Sequence, residues 1–252
     1  MKLKLLLTLG LLSLPAVASP PGATAISASA NQIKVTSANL KADIESYFKS
    51  LSWDQKKDFV WEGGAANSIA GRAVCAAEGN CNSDGSLTSI ASGHTDPGNA
   101  AANMGRFSYQ MYLSGKTSMS IDEADRIQMA KLLNHTQTLS QRLDAAGIKP
   151  SDVSIREFVS GIDVANQCPL CLTEPQGYAE RLKEAKDKGL QGESAVEEAR
   201  IKAYIEPSTG QYNAPGLRAY DDISKEESIR KDVQRREGEI EDAMKIKLKE
   251  MK

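Results

Sequence analysis

The chain of 252 residues has only two histidines, His94 and His135. A catalytic zinc site usually takes three protein ligands, commonly with two or more histidines, so this supply argues against a zinc hydrolase, and no metal or other cofactor is expected. Charge of one sign is lacking as well: 31 basic residues face 33 acidic ones, for a net charge of -2. Nothing here makes the global basic field that holds nucleic acid or anionic lipid, and a nucleic-acid partner is not expected. No Gly-x-Ser-x-Gly elbow and no internal repeat occurs, which removes the strand-to-helix serine nucleophile from consideration. Long apolar runs are missing too. The best, Leu5 to Leu14, falls short of the roughly 20 residues that span a bilayer, so the chain is not expected to span a membrane.

That run follows Lys2 and Lys4 and precedes the small residues Ala16-Val17-Ala18. Together they read as a signal peptide over residues 1–18, although Ala23-Thr24-Ala25 offers a second exit. The protein is therefore expected to be exported, into a periplasm or out of the cell. Loss of Lys2 and Lys4 with the leader takes the balance from -2 to -4. Residues 19–36 are Ala, Ser, Pro and Gly without periodicity and read as a flexible leader.

Aromatic residues are few and unevenly placed. Eight of the thirteen (Tyr47, Phe48, Trp53, Phe59, Trp61, Phe107, Tyr109 and Tyr112) lie between residues 47 and 112, and beyond residue 172 only tyrosines occur. This puts a core domain at residues 37–172 and a charged helical C-terminal extension at 173–252. The fold class is mainly α, with α+β as the limit. Five capping boxes support it: Ser52-x-x-Gln55, Ser120-x-x-Glu123, Ser154-x-x-Glu157, Thr173-x-x-Gln176 and Ser224-x-x-Glu227. Residues 121–146 form the expected long central helix, closed by Gly147 with Pro150 beyond. Further helices are read at about 175–188, 194–205 and from Ser224 onward. The last carries Glu226-Arg230, Asp232-Arg236 and Glu241-Lys245 pairs suited to an exposed helix. Ile229, Val233, Ile240 and Met244 would be its face for a protein partner. Residues 76–108 are rich in Gly, Asn, Ser and Asp and read as a long irregular loop, with a small hairpin at Leu87 to Ala91.

The four cysteines fall in two close pairs, Cys75 with Cys81 and Cys168 with Cys171. An even count in an exported chain favours disulfides, and nearest-neighbour pairing is the expectation among three connectivities. The Cys-x-x-Cys spacing of Cys168 and Cys171 also suits a thiol oxidoreductase, but the strand and helix context of such centres is missing. Asn80-x-Asn82-x-Asp84-Gly85 copies the start of a calcium loop, yet its twelfth position is Ala91 where a Glu is required. Glu62 then stands out. It closes a helix opened at Ser52, beside Phe59 and Trp61 and before Gly63-Gly64. A carboxyl against aromatic surface is raised by desolvation and can protonate a leaving oxygen.

Trp61-Glu62-Gly63-Gly64, the hydroxyl-rich segment from Leu87 to His94, and Asn103-Met104-Gly105-Arg106-Phe107-Ser108-Tyr109-Gln110 form a layout similar to that of the lysozyme-like superfamily. That superfamily includes phage-type muramidases and lytic transglycosylases, and the similarity covers residues 40–166. The resemblance implies a glycosidase acting on peptidoglycan, the cell-wall glycan, with Glu62 as general acid. Thr88, Ser89, Tyr109 and Gln110 would position the sugar or a water by hydrogen bonds, and His94 with Asp96 would hold the loop. Asp84 or Asp96 would be the second carboxylate, or there would be none, as in the transglycosylases. The rival expectation is a non-enzymatic exported protein, structural or partner-binding, that uses the same loop as a self-satisfied turn structure.

Overall fold

The computed structural model describes residues 40–95, 100–212 and 224–251. The signal peptide and leader expected from the sequence lie outside them. Ten α-helices and one three-stranded sheet are present among these residues, so the fold is mainly α. None of the described helices is long and apolar enough to cross a membrane.

Helix α1 (Leu40–Ser50) turns Leu40, Ile44 and Phe48 inward at a spacing of four. After one turn the chain re-enters helix at Ser52, whose hydroxyl accepts from the Gln55 amide while Gln55 reaches back to the Ser52 amide, opening α2 (Trp53–Trp61). Phe48 packs against Phe59 and Phe158 with ring centroids 5.7 and 5.9 Å away, the tilted geometry that suits aromatic quadrupoles. The short α3 (Gly64–Asn67) leads to α4 (Ile69–Ala77), all nine residues of which are buried.

Small strands β1 (His94–Thr95), β2 (Ala102–Met104) and β3 (Tyr109–Gln110) pair antiparallel in that order, with Asn103 opposite both His94 and Gln110. The hairpin expected at 87–91 is not formed there: Leu87 makes an isolated antiparallel bridge to Cys81, Ser89–Ser92 is a 3-10 turn, and the sheet begins at His94. Helix α5 (Ile121–Ala145) is the long central helix. It buries Leu132, Thr136, Leu139 and Leu143, and ends where Gly147, at φ 79°, lets the Gly147 and Ile148 amides donate back to Asp144 and Leu143.

Helix α6 (Ile155–Gln167) begins with a complete Ser154–Glu157 capping box. Gly161 at its centre lets Leu139 and Tyr178 come close, since a Cβ there would lie 2.7 Å from Leu139 and 2.9 Å from Tyr178 and would force those side chains to shift. The chain continues through α7 (Leu170–Thr173), α8 (Tyr178–Asp187), α9 (Gly192–Ala203) and α10 (Lys225–Glu250). Of the five expected capping boxes, those at Ser52 and Ser154 are complete, and Ser120 and Ser224 cap their helices through the serine hydroxyl alone. Thr173 instead ends α7, its hydroxyl donating to the Pro169 carbonyl, and α8 starts after Gly177.

The C-terminal third shares one core with the rest. Ile229, Val233, Ile240 and Met244, the residues expected to face a protein partner, are buried against the chain itself, and α10 packs most extensively on α4. Size favours this: α4 is rich in alanine, at Ala70, Ala73, Ala76 and Ala77, side chains small enough for close approach. Between α6, α9 and α10 lies a fully buried ionic cluster. Asp163 takes both Arg200 and Arg236, and Arg200 also reaches Glu237 at 2.7 Å.

Lys56 is another buried charge. Its amine donates to the Phe48 carbonyl and lies 3.9 Å from the Phe48 ring centroid, and burial pushes its pKa down from 10.5 to about 8. Between those values the unfolded chain binds more protons, so this lysine's contribution to stability rises with pH. The stability gain of Lys56→Met over wild type should therefore be largest at pH 7 and shrink towards pH 10 in paired urea titrations. A difference independent of pH would show that Lys56 folds with an ordinary amine.

Candidate functional site

Helix α4 is opened by the Ser68 hydroxyl, which accepts from the Gly71 amide at 2.9 Å, and its run of buried residues ends at Glu78. Gly79 at φ 74° reverses the chain, and the Cys75–Cys81 disulfide ties the helix to the segment that leaves it. Glu78 is thus held between the two cysteines, with 13% of its side chain exposed. Its Oε1 accepts from Asn166 Nδ2 at 3.1 Å and from Arg236 Nη2 at 2.5 Å, while Oε2 has no partner among the described residues. Asn166 is held in turn by Gln128, and its amide also donates to the Phe107 carbonyl. Side chains from α6 and α10 therefore meet on this one carboxylate, and Asn166 links it to Gln128 of α5 and to the turn between β2 and β3.

The polar loop is knitted to the same place. Thr88 donates its hydroxyl to the Gly79 carbonyl at 2.8 Å, and Asn80 bonds the Arg106 carbonyl and the Ser108 hydroxyl. Gly105 admits no side chain, since a Cβ would lie 2.6 Å from Asp125 Oδ1. Asp125 receives both the amide and the guanidinium of Arg106. Burial raises the Asp125 carboxyl above the usual range, against the pull of Arg106.

Of the residues singled out in the sequence, Glu62 is exposed at the end of α2, and its side chain makes no hydrogen bond or ion pair with the described residues. Phe59 and Trp61, expected beside its carboxyl, turn into the core, where Trp61 Nε1 donates to Thr136 at 3.0 Å. Ser89 is exposed on the 3-10 turn, and His94 is half-buried with Nδ1 3.1 Å from the Ile90 carbonyl oxygen. Tyr109 is buried beneath the Lys131 amine, 4.8 Å from its ring centroid. Gln110 accepts from the hydroxyl of the exposed Tyr112. Asp96 lies outside the described residues.

The calcium-like run does not form a cage. The Asn80 and Asn82 amide nitrogens donate to protein oxygens, and Asp84 folds onto the Ser86 amide and hydroxyl, which hold its carboxyl below the usual range. Among the described residues no three His, Cys, Asp or Glu side chains gather where a metal would sit. His135, on α5, is half-buried, and burial lowers its pKa. Both disulfides follow the nearest-neighbour pairing, Cys75–Cys81 and Cys168–Cys171, a feature of proteins from oxidising compartments. A pocket beside the second is lined by Cys168, Cys171, Glu174, Gln176, Tyr204 and Glu206 among others.

Glu78 escaped the sequence reading because it sits at the edge of the segment taken as loop. Its signal was the serine-capped, wholly apolar or small run from Ile69 to Ala77, broken only by Arg72, that ends in Glu78-Gly79. Comparisons with protein-family models, with curated proteins and with solved structures find no match.

Proposed function

We propose that this chain is an exported enzyme that cleaves a cell-wall glycan in the manner of muramidases or lytic transglycosylases, with Glu78 as its working carboxylate. The observation that carries the reading is the placing of Glu78. It closes a buried helix where the three-stranded sheet and the long α5 follow in the chain, and two donors fix Oε1 while Oε2 has no partner among the described residues. Asn166 and Arg236 fix its orientation, and a carboxyl group so held can serve at the glycosidic bond of a sugar chain. The exposed Tyr112, joined to Gln110, offers an apolar face and a polar edge to a sugar ring. Ser89, His94 and Asp96 remain part of the proposed glycan-binding set.

A second reading, a non-enzymatic partner-binding protein, draws on a different observation. Glu62 is exposed, and the hydroxyls of Thr88 and Ser86 and the amide nitrogens of Asn80 and Asn82 are spent on the chain itself.

The deciding experiment follows soluble fragments released from purified peptidoglycans of several wall types by wild type, Glu78→Gln and Glu62→Gln. Glu78→Gln should lose about 100-fold or more in rate, the scale of a positioned acid or base, while Glu62→Gln stays close to wild type. Loss in Glu62→Gln alone would move the role to Glu62. No release by the wild type would end the enzyme reading and leave the partner-binding one.

A further inference from the structure

The two disulfides of this chain sit in opposite surroundings. Cys75 is fully buried and Cys81 is 5% exposed. Cys168, by contrast, is half-buried and forms the wall of an open pocket together with Cys171, which is itself buried. We infer that the Cys168–Cys171 disulfide is a thiol–disulfide exchange site, attacked at Cys168 by a neutral or cationic thiol that enters through this pocket.

Three features of the segment support it. The Cys171 amide donates to Cys168 Sγ at 3.2 Å, so the sulfur that is released as a thiolate from the mixed disulfide already has a donor aimed at it, and thiolate is the reactive form. Secondly, the bond closes a loop with a sequence separation of only 3, and so short a closure contributes little chain entropy. Leu172 and Tyr178, fully buried on either side of the turn at Gly177, anchor the segment without it. Lastly, among the described residues the charged side chains lining the pocket are Glu174 and Glu206, while Arg142 and Arg181, which donate to the Glu174 carbonyl and to Gln176 Oε1 at its edge, are each paired with a carboxylate of their own, Glu180 and Glu184. Such a mouth repels anionic thiols and favours neutral or cationic ones.

The chemistry balances with a thiol RSH as the reductant. Its thiolate attacks Cys168 Sγ, an R–S bond to Cys168 forms, the Cys168–Cys171 bond breaks, and its electron pair leaves on Cys171 Sγ, which takes a proton from water. A second thiolate then attacks the R sulfur of the mixed disulfide. RSSR departs, and Cys168 is left as a thiolate facing the Cys171 amide before it too is protonated. Two electrons pass from two RSH to the protein, and the reverse sequence re-forms the bond. The thiol is either a small molecule or the exposed cysteine of a dithiol protein. For the latter, Leu170, 61% exposed between the two cysteines, is an apolar contact.

The test uses the full native chain. It is exposed to cysteamine, mercaptoethanol or mercaptoacetate, or to a reduced thioredoxin-type dithiol protein, then alkylated and mapped by peptide mass spectrometry while circular dichroism follows the fold. Cys168 and Cys171 should be labelled on the order of tenfold faster than Cys75 and Cys81, as accessibility governs exchange, with the helical signal unchanged. Cysteamine should exceed mercaptoacetate after each is normalised to its rate on a small model disulfide, and equal normalised rates would overturn the charge preference. Faster opening by the dithiol protein, slowed in Leu170→Ser, identifies a protein thiol as the source. Opening by small thiols alone identifies a small molecule. Labelling of both pairs together, or only as the helical signal falls, would overturn the exchange site.

Discussion

Asp163→Ala is expected to lower the folding stability by about 3–5 kcal/mol, the cost of breaking a buried ion pair by removing one partner. The carboxylate is fully buried and receives Arg200 Nη2 at 2.6 Å and Arg236 through Nε and Nη2 at 2.9 and 2.6 Å. Its removal leaves two interior guanidinium groups, one on α9 and one on α10, with Glu237 and Glu78 as their remaining carboxylates. Burial alone would raise the Asp163 carboxyl, but Arg236 and Arg200 outweigh it and hold its pKa below the ordinary 3.8. The sign follows: a depressed folded value means stability that is complete above about pH 4 and is lost as pH falls further. The gap between wild type and variant should therefore narrow in acid. Asp187→Ala is the matched control, because Asp187 pairs with Lys183 one helical turn away at the surface, where such pairs are worth about 0–1 kcal/mol. Urea titrations at pH 7 and pH 3 decide it, and a loss at Asp163 no larger than at Asp187 would refute the network's importance.

Local order in this protein was legible in the sequence; long-range partnership was not. The central helix was read at 121–146 and is found at Ile121–Ala145, since its start at Ser120 and its stop at Gly147 depend on neighbouring residues alone. Both disulfides could be paired by proximity in the chain for the same reason. Thr173 failed as a cap because it is the end of α7, and Gly177, where a Cβ would lie 2.5 Å from the Cys171 carbonyl oxygen, decides where α8 begins. The C-terminal third was taken for a solvated extension because its charges are dense and regularly spaced. Arg236 and Glu237, adjacent on α10, instead point inward to partners 158, 73 and 37 positions away, a distance over which no local pattern carries information. Glu78 was hidden by the same blindness. Only the folded chain brings Asn166 and Arg236 to it, whereas Glu62 has flanking aromatics that look like a binding wall and prove to be core.

Arg236 also joins the two parts of the chain that the sequence had separated. One guanidinium group spans Asp163 in the ionic cluster and Glu78 at the candidate site, so the orientation of that carboxylate depends on α10 being docked. Arg235 adds a bond to the Ala77 carbonyl, at the very end of α4, and Arg72 on α4 pairs with Glu250 near the far end of α10. The two helices are clasped along their length, and the site lies at one end of the clasp.

Deletion of residues 224–252 is accordingly expected to abolish the cooperative fold, not merely to trim an appendage. Ile229, Val233, Ile240, Met244 and Leu248 are each buried to 8% exposure or less. At about 1.5–3 kcal/mol for each such side chain, their loss comes to on the order of 10 kcal/mol. That is comparable with the whole 5–15 kcal/mol by which domains are typically stable. Asp163 and Glu78 would lose Arg236 at the same moment, and Arg200 would lose Glu237. The truncated chain should keep part of its helical far-ultraviolet signal, lose its near-ultraviolet signal and show no sharp thermal transition. A synthetic peptide of residues 224–252 added in trans should restore both, because the groove over α4 is shaped by small side chains that remain in the truncated chain. A truncated protein that melts sharply near the wild-type temperature would mean that α1 to α9 fold on their own and that α10 is a removable cover over α4.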